Sequence, residues 1–180
     1  MKTLITFSLL TVSLGLYAKS LQIDLKDGKV LTFKAPKTWK VYQNVFGVPY
    51  MLGSPKKKDS RITIGVTPTK IEDLVFDKKG LKDSEGDYVA GRKRWLQKYN
   101  GTFDKLIPFE TWKNQKKLEF HAIGYKYKLN GIKFEEITVQ VNCGGEHYHL
   151  KALHRPEEFP GHEKKIKDIL LSFDCQLKAI

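Results

Sequence analysis

The chain has 180 residues, of which 41% are hydrophobic, and it carries 32 Lys and Arg against 20 Asp and Glu. This length predicts one ordinary domain with a continuous core and excludes a second domain of similar size. The formal net charge of +12 favours anionic partners.

The first eighteen residues have the composition of a secretory signal peptide. Lys2 provides the positive n-region, residues 4–16 are mainly apolar, and Ala18 is a small residue at the expected cleavage site. A helix over residues 4–17 would rise only ~21 Å, whereas the hydrocarbon core of a bilayer measures ~30 Å. We therefore predict cleavage after Ala18 and one domain over residues 19–180, exported to the periplasm or medium, without a transmembrane segment. An uncleaved anchor is the alternative.

Export and positive charge together indicate the class of partner. An acidic protein, an anionic lipid or a polyanionic glycan of the envelope would each be attracted to such a surface. Nucleic acid would be attracted too, but export separates the protein from it, so we predict no nucleic-acid partner. The alternative is that the lysines only maintain solubility.

The two cysteines, Cys143 and Cys175, are a candidate disulfide, because an oxidising compartment favours pairing. On the chain-entropy account, closing this loop would constrain the unfolded chain by roughly 3.7 kcal/mol. Neither cysteine lies in a CxxC motif, so we predict a structural bridge and not a redox centre.

Alternating apolar residues at the start of the mature chain predict a β-hairpin that ends at Pro36. Its three-residue loop would place Leu25 opposite Leu31 and Ile23 opposite Phe33.

The next segments are predicted as a series of short elements. A strand over residues 45–52, interrupted by glycine and proline, precedes an exposed loop over residues 53–58 and a strand over residues 61–67. A short helix near residues 74–76 and a polar turn at 78–80 follow.

The 3.6-residue periodicity predicts an amphipathic helix over residues 87–99. Arg94 and Lys98 lie on its polar side, but Arg92 projects into the apolar arc. Its stem could pack on aromatic rings while the guanidinium reaches water or a structural carboxylate, or it could contact an anion at a pocket rim. Arg92, Arg94 and Lys98 are thus our candidate binding residues.

A three-stranded antiparallel meander is predicted from residue 118 to residue 154. The Asn130-Gly131 turn pairs Leu129 with Ile132 and Tyr127 with Phe134. The second turn, at residues 144–145, places Val141 opposite Tyr148, Val139 opposite Leu150, Ile137 opposite Ala152, Gln140 opposite His149 and Asn142 opposite His147. The apolar phase slips by one residue after Phe134, which predicts a β-bulge at Glu135-Glu136.

A C-terminal helix is predicted over residues 161–173, with its apolar stripe on the sheet. A bridge between Cys143 and Cys175 would then fix the end of this helix to the meander.

Catalytic and metal-binding patterns are weak in this sequence. His147 and His149 share one strand face and could bind a metal ion if His121 joined them, although solvated side chains are the simpler interpretation. There is no GxSxG, HExxH, GxGxxG or Walker A motif. Asn100-Gly101-Thr102 matches the glycosylation sequon. We therefore predict a protein without an enzymatic activity or a cofactor.

Two short segments resemble PsbP-like domains. Residues 31–39, LTFKAPKTW, are similar to the family's strand followed by Pro and Trp, and residues 166–173, IKDILLSF, are similar to its closing helix. The resemblance implies an α+β fold, an antiparallel β-sheet with flanking helices in an α/β/α sandwich. It also implies a non-catalytic accessory or docking role, as in the extrinsic photosystem subunit and in bacterial envelope proteins.

Three hypotheses about function follow. The first is a non-catalytic accessory protein that docks through a basic surface onto an acidic protein or an anionic envelope component. The second is a secreted metal-dependent protein that uses His147 and His149. The third is a module that binds a small apolar ligand, with Arg92 at the rim.

Overall fold

The computed structural model describes residues 18–25, 28–45, 47–54, 57–67, 78–143, 145–158 and 162–177. Residues 1–17 of the signal peptide predicted over residues 1–18, and the short helix predicted near residues 74–76, lie outside these ranges. No helix within the described part of the chain has both the length and the apolar character needed to cross a membrane.

The N-terminal hairpin is present, but its predicted register is wrong. β1 (Ala18–Asp24) pairs with β2 (Lys29–Pro36), and Ile23 lies opposite Leu31, not Phe33. The Leu25 N–H donates to the Lys29 carbonyl at 2.8 Å, and Gly28 adopts a positive φ of 79°. Each β1 residue therefore pairs with a β2 residue two positions earlier than predicted. Because a shift of two keeps the alternation, the same side chains stay on the buried face.

A second sheet of seven antiparallel strands forms the body of the domain, in the order β3-β4-β5-β9-β8-β7-β6. Its strands are β3 (Lys40–Val45), β4 (Val48–Ser54), β5 (Lys57–Thr67), β6 (Thr102–Lys113), β7 (Glu119–Leu129), β8 (Ile132–Cys143) and β9 (Glu146–His154). The helices of the domain are α1 (Lys78–Asp83), α2 (Glu85–Gln97) and α3 (His162–Leu171). A last strand, β10 (Asp174–Leu177), pairs with β2 and completes a small sheet in the order β1-β2-β10.

Three predictions before the first helices are wrong. The single strand predicted over residues 45–52 is a hairpin of β3 and β4, because Gly47 has a φ of 75° and allows a tight turn. The loop predicted over residues 53–58 is shorter, since β5 begins at Lys57. The polar turn predicted at residues 78–80 is the first turn of α1.

The meander of β7, β8 and β9 is confirmed in detail. Every predicted pair is present, from Leu129 opposite Ile132 to Asn142 opposite His147. Turn chemistry and alternation agreed over this stretch, which is why its register could be predicted.

The predicted bulge at Glu135-Glu136 is wrong. Pairing runs without a shift from Ile132 to Cys143 on the β7 and β9 sides. The apolar phase changes because the core moves from one face of the sheet to the other. On the front face, Tyr125, Tyr127 and Phe134 pack against α2; on the rear face, buried residues from Ile137 to Val141 pack against the small sheet and α3.

The two long helices cover opposite faces of the large sheet, which confirms the predicted α+β architecture. Helix α2 buries Leu96 on the front face, whereas Trp95 and Tyr99 stay 38% and 55% exposed. Helix α3 inserts its predicted apolar stripe into the rear core: Ile166, Ile169, Leu170 and Phe173.

The predicted disulfide is confirmed. Cys143 at the end of β8 bonds to Cys175 in β10, with the two Cα atoms 6.0 Å apart. Because β10 also pairs with β2, the bridge connects the large sheet to the small one directly after α3.

Candidate docking groove

The three cations predicted to bind lie on different sides of α2. Arg94 and Lys98 are exposed, whereas Arg92 is partly buried and faces the front of the sheet. The structure therefore does not bring the three together as one site.

Arg92 belongs to a charge cluster on the front face. Its guanidinium lies 5.1 Å from the centre of the Tyr88 ring and 5.5 Å from that of Tyr125. Its Nη1 is 3.9 Å from Glu136 Oε1, and Lys151 Nζ is 3.4 Å from the same oxygen. The guanidinium itself, and not only the stem, therefore packs on the rings, and it reaches a structural carboxylate as one of the two interpretations predicted.

Burial dominates the titration of the phenols in this cluster. Loss of water raises the pKa of Tyr88 to about 12, although the neighbouring Arg92 works in the opposite direction. Desolvation, followed by the charge of Glu136, also raises the pKa of Tyr125. Both phenols therefore stay protonated at neutral pH and cannot serve as bases.

Among the described residues, the three candidate metal-binding histidines are not grouped together. His147 is 5% exposed, and the centre of its ring lies 6.4 Å from that of His149. His121 lies two strands from β9, where its Nε2 is 3.6 Å from Glu119 Oε1. Within the ranges that the structure describes, no three His, Cys, Asp or Glu side chains are arranged to hold a metal ion. Burial lowers the pKa of both His147 and His149.

A groove opens at the edge of the large sheet, between β6 and α3, and we call it the β6–α3 groove. It encloses about 390 Å³. Apolar residues line its floor: Leu106, Ile107, Pro108, Trp112 and Ile137. Lysines surround it, two of them beside carboxylates: Lys105, Lys126, Lys164 and Lys167, with Glu110 and Glu135.

A register shift in β6 determines which side chains enter this groove. Ile107 pairs with Gly124, but Glu110 pairs with Ala122, so β6 contains one extra residue between these pairs. The extra residue moves Glu110 and Trp112 onto the face that Ile107 occupies. The Phe109 N–H within this bulge donates to Glu85 Oε1 at 2.6 Å, which ties the bulge to the start of α2.

The floor of the groove depends on a glycine. A Cβ at Gly124 would lie 2.4 Å from the Glu136 carbonyl oxygen and 3.2 Å from Ile107 Cδ1. Only a residue without a side chain lets Ile107 and Ile137 approach across β7.

Two of the four lysines that line the groove pair with carboxylates. Lys126 Nζ lies 3.0 Å from Glu135 Oε2, and Lys167 Nζ lies 3.3 Å from Glu110 Oε2. Lys105 and Lys164, both exposed, form no ion pair with any residue in the described ranges. The groove consequently combines an apolar floor with a net positive rim.

A carboxylate already lies at the centre of this rim. The Trp112 indole N–H donates to Glu110 Oε2 at 2.6 Å, and Lys167 Nζ donates to the same oxygen. The Lys167 ammonium also lies 4.3 Å from the centre of the Trp112 ring. The indole hydrogen bond, aided by Lys167, lowers the pKa of Glu110 and keeps it ionised.

A second depression of about 360 Å³ lies at the other end of α3. Its lining includes Lys34, Lys113 and Lys116, but Lys116 pairs with Asp174, and Lys113 Nζ is 3.2 Å from Glu119 Oε2. Arg92 lines neither of these two cavities.

Sequence reasoning missed the groove because it missed β6. The two bulges and Pro108 interrupt the alternation by which a strand is recognised in a sequence. The lysines of α3 lie on its polar side, where the sequence pattern predicts ordinary solvated residues. The only local signal was the pairing of an aromatic with a basic residue at Trp112-Lys113.

Comparison with known proteins establishes the fold but not a family. No family model and no curated protein matches the sequence. The structure is similar to that of cyanobacterial PsbP from Synechocystis sp. PCC 6803, with a TM-score of 0.65 and 13% identity over 94% of this chain and 98% of that one. It is also similar to LpqN of Mycobacterium tuberculosis, a protein involved in cell envelope biogenesis, with a TM-score of 0.52 and 13% identity over 88% and 91% of the two chains. The chain therefore has a PsbP-like fold.

Proposed function

We propose that this protein is an exported, non-catalytic accessory protein that docks onto an anionic partner through the β6–α3 groove. The partner is an acidic protein or an anionic component of the envelope. The observation that carries this proposal is the arrangement of exposed, uncompensated Lys105 and Lys164 around an apolar floor. Such a surface attracts anions at long range and buries apolar area on contact.

The side chains of the groove suit contact better than catalysis. Its ionisable groups are lysines and two carboxylates, and both carboxylates are engaged by lysines at 3.0 and 3.3 Å. General acid-base catalysis needs a group whose protonation changes near neutral pH, and a carboxylate with a lowered pKa, such as Glu110, does not provide one.

The fold supports the same role. LpqN is involved in cell envelope biogenesis, and the predicted signal peptide of this chain would export the protein to the envelope or the medium. A basic accessory protein in an envelope meets acidic proteins, anionic lipids and polyanionic glycans, all of which the net charge of +12 would attract.

The test is a pull-down of tagged mature protein from its own envelope fraction at two salt concentrations. Binding through an exposed rim should weaken on the order of tenfold between about 20 mM and 200 mM salt, because the Debye length shortens from roughly 20 Å to roughly 7 Å and salt screens the rim lysines from the partner's anions. A partner retained equally at both concentrations would contradict electrostatic docking.

Two charge-reversal variants locate the surface. We expect Lys105→Glu/Lys164→Glu to abolish capture, whereas Arg94→Glu/Lys98→Glu on α2 changes the net charge equally and should preserve most of it. If the α2 variant loses the partner instead, the docking surface is the one that the sequence predicted. Equal losses would mean that only the overall charge matters.

A further inference from the structure

We propose that Glu110 is an internal competitor that occupies the position of a partner's carboxylate, and that the partner is an acidic protein segment. This inference rests on the proposed function of the β6–α3 groove. It names the chemistry of the occupant and the residue that the occupant displaces.

The geometry around Glu110 is that of a carboxylate-binding site. One carboxylate oxygen accepts from both the Trp112 indole, at 2.6 Å, and the Lys167 ammonium, at 3.3 Å. The ammonium is positioned over the indole ring at 4.3 Å, so the two donors converge on one point. Charge-assisted bonds of this kind would serve an incoming Asp or Glu side chain equally well.

Glu110 is able to leave this position. Its side chain is 54% exposed and that of Lys167 is 40% exposed, so water can replace each of them. An exposed pair of this kind is weak, and a competing carboxylate needs only a small additional gain to displace it. The apolar floor beside it provides that gain, since Ile107, Pro108 and Ile137 line the same cavity.

The floor and the rim together favour a protein segment over a lipid surface. The cavity encloses about 390 Å³ and lies in a groove at a sheet edge. That volume suits a few side chains, an acidic one at Trp112 and Lys167 with an apolar neighbour on the floor. Lys105 and Lys164 remain available for further acidic residues of the same segment.

The experiment uses the whole mature chain and a defined probe, the capped peptide acetyl-Leu-Glu-Leu-Glu-Leu-Glu-amide. Affinity is measured by calorimetry at low salt, and the Trp112 indole N–H resonance is followed by nitrogen-proton NMR. We expect the wild-type protein to bind and its Trp112 resonance to shift. Glu110→Gln should bind up to about fivefold more tightly, which is the scale of one exposed ion pair.

Glu157→Gln is the matched control. Glu157 is 58% exposed, pairs with Arg155 outside the groove, and its substitution changes the net charge equally. We expect it to alter affinity less than twofold. If Glu110→Gln binds no more tightly than this control, or if Trp112 is unperturbed at saturation, Glu110 is not a competitor.

The remaining outcomes separate the inference from the proposed function. Binding of phosphatidylglycerol vesicles without binding of the peptide would overturn the acidic segment but retain an anionic partner. If peptide binding depends on Lys105 and Lys164 but is unchanged in Glu110→Gln, the docking groove is supported and the competitor role of Glu110 is refuted. If neither peptide nor vesicles bind, the acidic segment and the competitor are wrong, and the salt-dependent pull-down alone decides the proposed function.

Discussion

Glu135 and Glu136 are neighbours in β8, yet their carboxylates lie on opposite faces of the large sheet. Glu135 points to the rear face, where Lys126 Nζ is 3.0 Å away at the β6–α3 groove. Glu136 points to the front face, where it meets Arg92 and Lys151. Both are buried, at 2% and 7% exposure, so the charge of each carboxylate is compensated by its neighbouring cations and not by water.

Substitutions at Arg92 and Glu136 should not have additive effects on the free energy of unfolding. Arg92→Met leaves a buried carboxylate with Lys151 as its cation, and we expect it to lower the free energy of unfolding by about 1 to 3 kcal/mol. Arg92→Met/Glu136→Gln should cost less than the two single substitutions combined. Urea denaturation measures all three, with exposed Arg94→Met as the control, expected within about 0.5 kcal/mol of wild type. Strict additivity would show that Arg92 does not stabilise the carboxylate.

The disulfide should stabilise the domain through its closed loop. Removing both cysteines, as Cys143→Ala/Cys175→Ala, is expected to reduce the free energy of unfolding by about 3.7 kcal/mol, since the bridge restricts the unfolded chain over 32 positions. Chemical denaturation of the variant and the oxidised wild type gives this difference. Titration of the denatured, non-reduced wild-type protein should find no free thiol, and two titratable thiols would refute the bridge.

The meander could be predicted because local and global signals agreed there. Asn130-Gly131 fixes one register, and alternation from Ile137 to Val141 fixes the buried face. The phase slip at Glu135-Glu136 is present in the sequence, but it does not correspond to a bulge. A bulge and a change of buried face produce the same pattern in one strand, and only the position of α2 on the front face distinguishes them.

The groove could not be predicted for a different reason. Its residues come from β6 and from α3, which are far apart in sequence and pack together only in the fold. The bulge that directs Glu110 and Trp112 into the groove also hides β6 as a strand. Sequence reasoning therefore selected cations on α2, where the helical pattern was clear, and missed the lysines beside an irregular edge strand.

Gly124 should tolerate no side chain. In Gly124→Ala the new methyl group would meet the Glu136 carbonyl at 2.4 Å, and because this oxygen belongs to the backbone of β8, the strands must separate. We expect a loss of about 2 to 4 kcal/mol in the free energy of unfolding. The control is Gly91→Ala in α2, where no atom lies within 4 Å; it should stabilise the protein by about 0.5 to 1 kcal/mol. Equal effects at both glycines would contradict this close packing.

The two histidines of β9 should make the domain less stable in mild acid. Burial lowers the pKa of His147 and His149 in the folded state, so between pH 7 and pH 5 the unfolded chain binds more protons than the folded one. A histidine in the unfolded chain has a pKa of about 6.5. Above that pH the two neutral histidines do not reduce the free energy of unfolding. Below it the free energy of unfolding declines by up to about 1.4 kcal/mol per histidine for each pH unit. Urea midpoints at pH 7.5 and pH 5.5 should differ more for the wild-type protein than for His147→Gln/His149→Gln. All other titratable groups are common to the two proteins. An identical decrease in the urea midpoint would therefore show that these two side chains are not protected from protonation.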